Sequence, residues 1–84
     1  MAEYITITLK RAAVVLADEL DYPRAAEKLN ISCAELREQI SALEAQLCLH
    51  IFTSRERGIE LTEEGQILIR AFREAAVSHH RIVQ

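Results

Sequence analysis

Few residues in this 84-residue chain combine a reactive type with a suggestive spacing. Ser32-Cys33-Ala34-Glu35 fits the S-x-x-E capping box. In that motif the serine oxygen takes one free amide of a helix start and the glutamate reaches back for another. Arg37 and Glu38 follow within the next turn, and Arg24, Arg55 and Arg57 are the other arginines of the central stretch. Groups of this kind hold anions and read hydrogen-bonding edges; they do not break bonds. Arg24, Arg55, Arg57 and the amides and hydroxyl at Ser32 suit phosphate oxygens. Catalytic chemistry has no comparable support. His50, His79 and His80 have no nucleophile at a recognisable spacing, and no glycine-rich phosphate loop exists, so no enzyme is expected. His79 and His80 are adjacent and lack the i, i+4 spacing of a metal pair. Cys33 and Cys48 show no metal-type spacing and read as two free thiols near a core, as in a cytoplasmic protein. Neither a metal nor a cofactor is expected.

These residues need elements to position them, and the pattern predicts mostly helix. Two Gly and one Pro leave few turns. Half of the residues are hydrophobic, too many for disorder, and only 5% are aromatic, so the core must be aliphatic. A first helix follows Thr6 or Thr8 with Leu9, Ala12, Ala13, Leu16, Ala17 and Leu20 at helical spacing. Asp21 before Tyr22-Pro23 signals a second start, with Ala25, Ala26 and Leu29 inward. Asn30 tolerates the left-handed conformation that ends a helix. The third helix carries Leu36, Ile40, Leu43 and Leu47 on one stripe. Ile51-Phe52-Thr53 and Ile59-Glu60-Leu61 read as short strands around a turn at Ser54–Gly58. Thr62 then caps a last helix that can run to the C-terminus.

Two helices joined by a tight turn, the second with a capped start, make a helix-turn-helix. Ala26 supplies the small residue that a close crossing needs, and Ile31 plugs the turn. The capped end of the third helix is then exposed and able to enter a major groove. In that setting Arg37 is the best base reader, since an arginine fork can meet guanine. Its alternative is a surface pair near Glu38 or Ser41. Glu38 either accepts from a cytosine amino group or repels phosphate. Cys33 faces the groove or is a small, partly exposed residue without a special role.

The segment Ala25-Ala26-Glu27-Lys28-Leu29-Asn30-Ile31-Ser32 resembles the helix-turn-helix of LysR-type transcriptional regulators. Gln39-Ile40-Ser41-Ala42-Leu43-Glu44-Ala45-Gln46-Leu47, with its I-x-x-L-E-x-x-L pattern, is similar to the same family. So are Ile51-Phe52 and Arg57-Gly58-Ile59-Glu60-Leu61-Thr62-Glu63-Glu64-Gly65, which match its wing and the start of its linker helix. The resemblance implies a mainly α winged helix-turn-helix: three helices, a short β-hairpin wing and a long C-terminal helix. It implies binding to double-stranded DNA as a homodimer that contacts itself through the long helix. The winged domain is placed at 1–62, with the helix-turn-helix about 21–41 and the wing about 50–61, and the dimerisation helix at 62–84. Ile67, Leu68, Ala71, Phe72 and Ala75 are the candidate dimer residues, with Ile69 on another side. Departures are visible: Cys33-Ala34-Glu35 stands where the family usually has Gln-Pro-Ala, Arg37-Glu38 where it has Ser-Arg, and Cys48 where a Gly commonly ends the third helix. Ser54 replaces the wing arginine. No small-molecule effector domain is contained in these residues.

Charge argues the other way. The formal net charge is −3, and from Asp21 to Thr62 five basic residues face seven acidic ones. DNA-binding surfaces are usually basic, because phosphate neutralisation supplies most of the affinity. Glu27 and Glu44 can face away, and Glu35 is used in the capping box. The alternative is a winged-helix interaction or dimerisation module that binds DNA weakly or not at all. No apolar run approaches the roughly 20 residues that span a membrane, and no basic-then-apolar leader opens the chain, so no membrane partner is expected.

Overall fold

The structure is a computed structural model that describes residues 7–83, with side chains described through residue 74. Its elements run α1 (Ile7–Glu19), α2 (Tyr22–Leu29), α3 (Cys33–Leu47), β1 (Phe52–Arg55), β2 (Gly58–Leu61) and α4 (Glu63–Val83). The fold is the mainly α winged helix-turn-helix, with a two-stranded antiparallel hairpin as the wing.

Cap chemistry sets most of the boundaries. The Asp21 carboxylate accepts from the Arg24 backbone N–H at 2.9 Å, and Pro23 fits the first turn of α2. Asn30 ends that helix in the left-handed conformation (φ 62°), and Ile31 N–H bonds back to the Ala26 carbonyl at 3.0 Å. Ser32 and Glu35 form the reciprocal capping box of α3. Cys48 ends α3 with φ 56°, a conformation that costs a non-glycine residue roughly 1–2 kcal/mol. Its side chain is exposed, and its thiol donates weakly to the Ala45 carbonyl at 3.7 Å. Cys48→Gly should therefore raise the stability of the chain by about 1 kcal/mol, read as a higher midpoint in urea unfolding.

The core is aliphatic as expected. Ala12, Ala13 and Leu16 of α1 meet Ala25 and Ala26 of α2, Leu36, Ile40 and Leu43 of α3, and Ile51, Phe52 and Ile69 from the C-terminal half. Ala26 lies at the crossing and is almost fully buried.

Three features differ from the sequence reading. Leu20 does not continue α1. It turns left-handed (φ 51°), closing the helix with an N–H bond to the Leu16 carbonyl at 2.7 Å and freeing Asp21 to cap α2. The hairpin turn is tighter than expected. Arg55 pairs with Gly58, so only Glu56 and Arg57 form the loop, and Gly58 takes φ 137°. Ile51 precedes the strand and is fully buried.

The third difference concerns α4. Ile69, read as lying on another side from the candidate dimer residues, is a core residue, and two of those candidates, Leu68 and Phe72, pack partly against the same core. Ile67 and Ala71 remain exposed. The side chains of Ala75, His79 and His80 lie outside the described residues. An Asp18–Arg73 ion pair and the Lys10 ammonium, 5.8 Å from the Phe72 ring centre, fasten α4 to α1.

Candidate nucleic-acid interface

The start of α3 stands open to solvent: Ser32, Ala34, Glu35, Arg37 and Glu38 are all exposed. Leu36 and Ile40, on the opposite side, are buried and anchor the helix. Cys33 is half-buried against the core rather than turned fully outward. Arg24 is exposed on the first turn of α2.

The hairpin lies beside this surface, and two connections hold it there. The Glu44 carboxylate on α3 accepts from the backbone N–H groups of Ile51 at 2.7 Å and Phe52 at 3.2 Å. The Thr62 hydroxyl donates to the His50 carbonyl at 2.5 Å and accepts from Gly65 N–H at 2.9 Å, so one side chain joins the hairpin entry to the start of α4.

Between the start of α2, α3 and the hairpin runs a groove of about 390 Å³. Its walls include Asp21, Tyr22 and Pro23, then Arg37, then Thr53, Arg55 and Arg57. Three of the four expected arginines thus line one concave surface; Arg24 lies outside it. The Arg37 guanidinium carbon lies 4.2 Å from the centre of the Tyr22 ring, a cation–π contact between α3 and α2. This replaces the surface pair with Glu38 or Ser41 considered from the sequence. Burial raises the Tyr22 phenol above its ordinary pKa; Arg37 pulls it down and Glu44 pushes it up. Arg55 pairs with Glu60 across the hairpin at 3.2 Å. Lys28 is held by Glu19 at 2.7 Å.

The acidic balance also changes meaning. Of the seven carboxylates between Asp21 and Thr62, Asp21 and Glu35 cap helices, Glu44 binds hairpin amides and Glu60 pairs with Arg55. Glu38 stays exposed on the reading side. Among the described residues no group of His, Cys, Asp and Glu could hold a metal ion, and no helix is long and apolar enough to cross a membrane.

Tyr22 and Glu44 were not marked as functional by their sequence neighbourhood. Tyr22 meets Arg37 fifteen positions later, with no periodic relation between them. Glu44 looks like one more solvated acid of α3 until the hairpin folds onto it.

Comparison with known proteins decides the family. Residues 7–66 match the model described as bacterial regulatory helix-turn-helix protein, lysR family. The chain belongs to the LysR family. Among its relatives, the transcriptional activator AmpR of Yersinia enterocolitica is 36% identical over 66 residues, covering 79% of this chain and 22% of that protein. The transcriptional regulator XapR of Escherichia coli is 34% identical over 77 residues, covering 92% of this chain and 26% of that protein. The chain therefore spans about a quarter of the length of the curated LysR-family relatives it matches. The crystal structure of a CbnR DBD–DNA complex superposes with a TM-score of 0.81 at 27% identity, covering 88% of this chain and 85% of that one. The BenM DBD bound to benA site 1 DNA gives a TM-score of 0.84 at 25% identity, covering 90% and 88%.

Proposed function

We propose that this chain is the DNA-reading part of a LysR-type transcriptional regulator and binds duplex DNA in the cytoplasm through α3 and the wing. The observation that carries this reading is the open, capped start of α3 standing beside a groove lined by Arg37, Arg55 and Arg57. Ser32 and Arg24 supply further phosphate contacts, from exposed positions at two helix starts. Cys33 and Glu38 contribute at the rim of the reading surface, Cys33 by shape and Glu38 by accepting from a cytosine amino group. The same helix-turn-helix, built over about 21–41, and a wing over about 50–61 form one unit, and α4 is the dimerisation helix. Exposed Ile67 and Ala71 offer it an apolar strip for a second copy, with half-buried Leu68 and Phe72 beside them, and Ala75 is a further candidate from the sequence. CbnR and BenM DBD structures solved with DNA support the choice of ligand.

A titration of the chain with a two-half-site duplex at several salt concentrations tests this. The expected result is binding by two chains per duplex, with affinity falling linearly in log salt and a shallow slope, since few cations are available. No binding to any duplex at low salt would assign the fold to protein interaction instead.

A further inference from the structure

Arg37 on α3 lies against Tyr22 on α2, fifteen positions earlier in the chain. The Tyr22 ring is half-buried and packs against the core from α2, so it is a fixed platform and not a swinging side chain. The Arg37 guanidinium carbon sits over that platform, 4.2 Å from the ring centre. It faces a groove shared with the wing, in which Arg55 is already paired with Glu60. Arg37 and Arg57 are the groove arginines without an ion pair among the described residues. Asp21, the acid in the groove wall, has its carboxylate turned to the α2 amide that it caps.

We propose that Tyr22 is a positioning residue of the interface: it seats Arg37 so that Arg37 and Arg57 grip a DNA backbone phosphate, and Arg37 does not read a base edge. The proposal rests on the DNA-binding reading above. A base reader must extend beyond the helix surface to reach the groove floor, whereas a seated arginine is held back at the level of the backbone. A phosphodiester offers two free oxygens with one shared charge, which suits two guanidinium forks approaching from different elements. The groove walls mix apolar side chains with three arginines, Arg37, Arg55 and Arg57.

The test is a fluorescence-anisotropy titration of the chain against its preferred duplex, selected from a random pool, and against an unrelated duplex. Arg37→Ala should weaken both by a similar factor, on the order of tenfold, and should make the log–log salt slope shallower by about 0.9. Tyr22→Phe should bind as the parent does. Tyr22→Leu should reproduce Arg37→Ala on both duplexes and add nothing to it in the double variant. In NMR spectra the Arg37 Nε–H should be shifted upfield by the ring in the parent and in Tyr22→Phe. Loss confined to the preferred duplex with an unchanged slope would make Arg37 a base reader and overturn the proposal. Multiplying effects of Tyr22→Leu and Arg37→Ala, or an unshifted Nε–H, would reduce Tyr22 to a packing residue. A parent chain that binds neither duplex would overturn the DNA-binding reading itself, and the Nε–H shift would still report separately on the seat.

Discussion

Gly65→Ala should destabilise the fold more than any other single change described here. A Cβ built at Gly65 would sit 2.2 Å from the Ile51 carbonyl oxygen and 2.9 Å from its carbonyl carbon. Both are backbone atoms, so no side-chain rotation relieves the clash. Ile51 is fully buried, its N–H is held by Glu44 and its carbonyl accepts from Thr62 N–H at 2.9 Å, which leaves it little room to retreat. Overpacking a core commonly costs 1–3 kcal/mol, and a backbone collision belongs at about 3 kcal/mol or above. Domains of this size have a total stability of only about 5–10 kcal/mol. Urea unfolding followed by circular dichroism should show a large fall in midpoint. A variant that unfolds within about 0.5 kcal/mol of the parent would mean that α4 shifts away from Ile51 at little cost.

Glu44→Ala should be the second most damaging single change described here. It leaves the Ile51 and Phe52 amides without their acceptor at the point where the chain enters the hairpin. Hydrogen bonds to charged groups contribute about 1.5–3 kcal/mol each, and partly buried amides left unsatisfied carry their desolvation cost. Partial rescue by water at this part-buried site brings the expected loss to about 2–4 kcal/mol. Glu44→Gln keeps an acceptor oxygen and should lose less than half as much. The functional consequence differs from that of Gly65→Ala. In conditions where Glu44→Ala remains folded, the hairpin is loosened from α3, so affinity for duplex should fall through Arg57 while the cap of α3 stays intact. Amide hydrogen exchange at Ile51 and Phe52 would report the loosening directly; protection equal to the parent's would refute it.

These two residues show where sequence stops informing structure. Asp21, Asn30, the Ser32–Glu35 box and Thr62 announce their roles because a cap acts over three or four residues and its chemistry is local. The aliphatic stripe of α3 was legible for the same reason, since helical periodicity alone orders Leu36, Ile40 and Leu43. Leu20 was not, because a leucine at left-handed φ is chosen by the sharp entry into α2 against its own preference. The packing of Leu68 and Phe72 against the core beside Ile69 was not legible either, because the rotation of α4 is set by its contacts with distant elements, not by its own pattern. For the interface, the arginines could be named but not grouped. The contact of Tyr22 with Arg37, and the meeting of α3 with Arg55 and Arg57 in one groove, exist only after distant segments pack.

The Thr62 hydroxyl, bonded on one side to His50 and on the other to Gly65, ties the hairpin entry to the first turn of the long helix. Together with the Asp18–Arg73 pair, it fastens the base of α4, a helix about 30 Å long, to α1 and the hairpin. A displacement of the first turn of α4 therefore pulls on the entry to the wing through one hydroxyl.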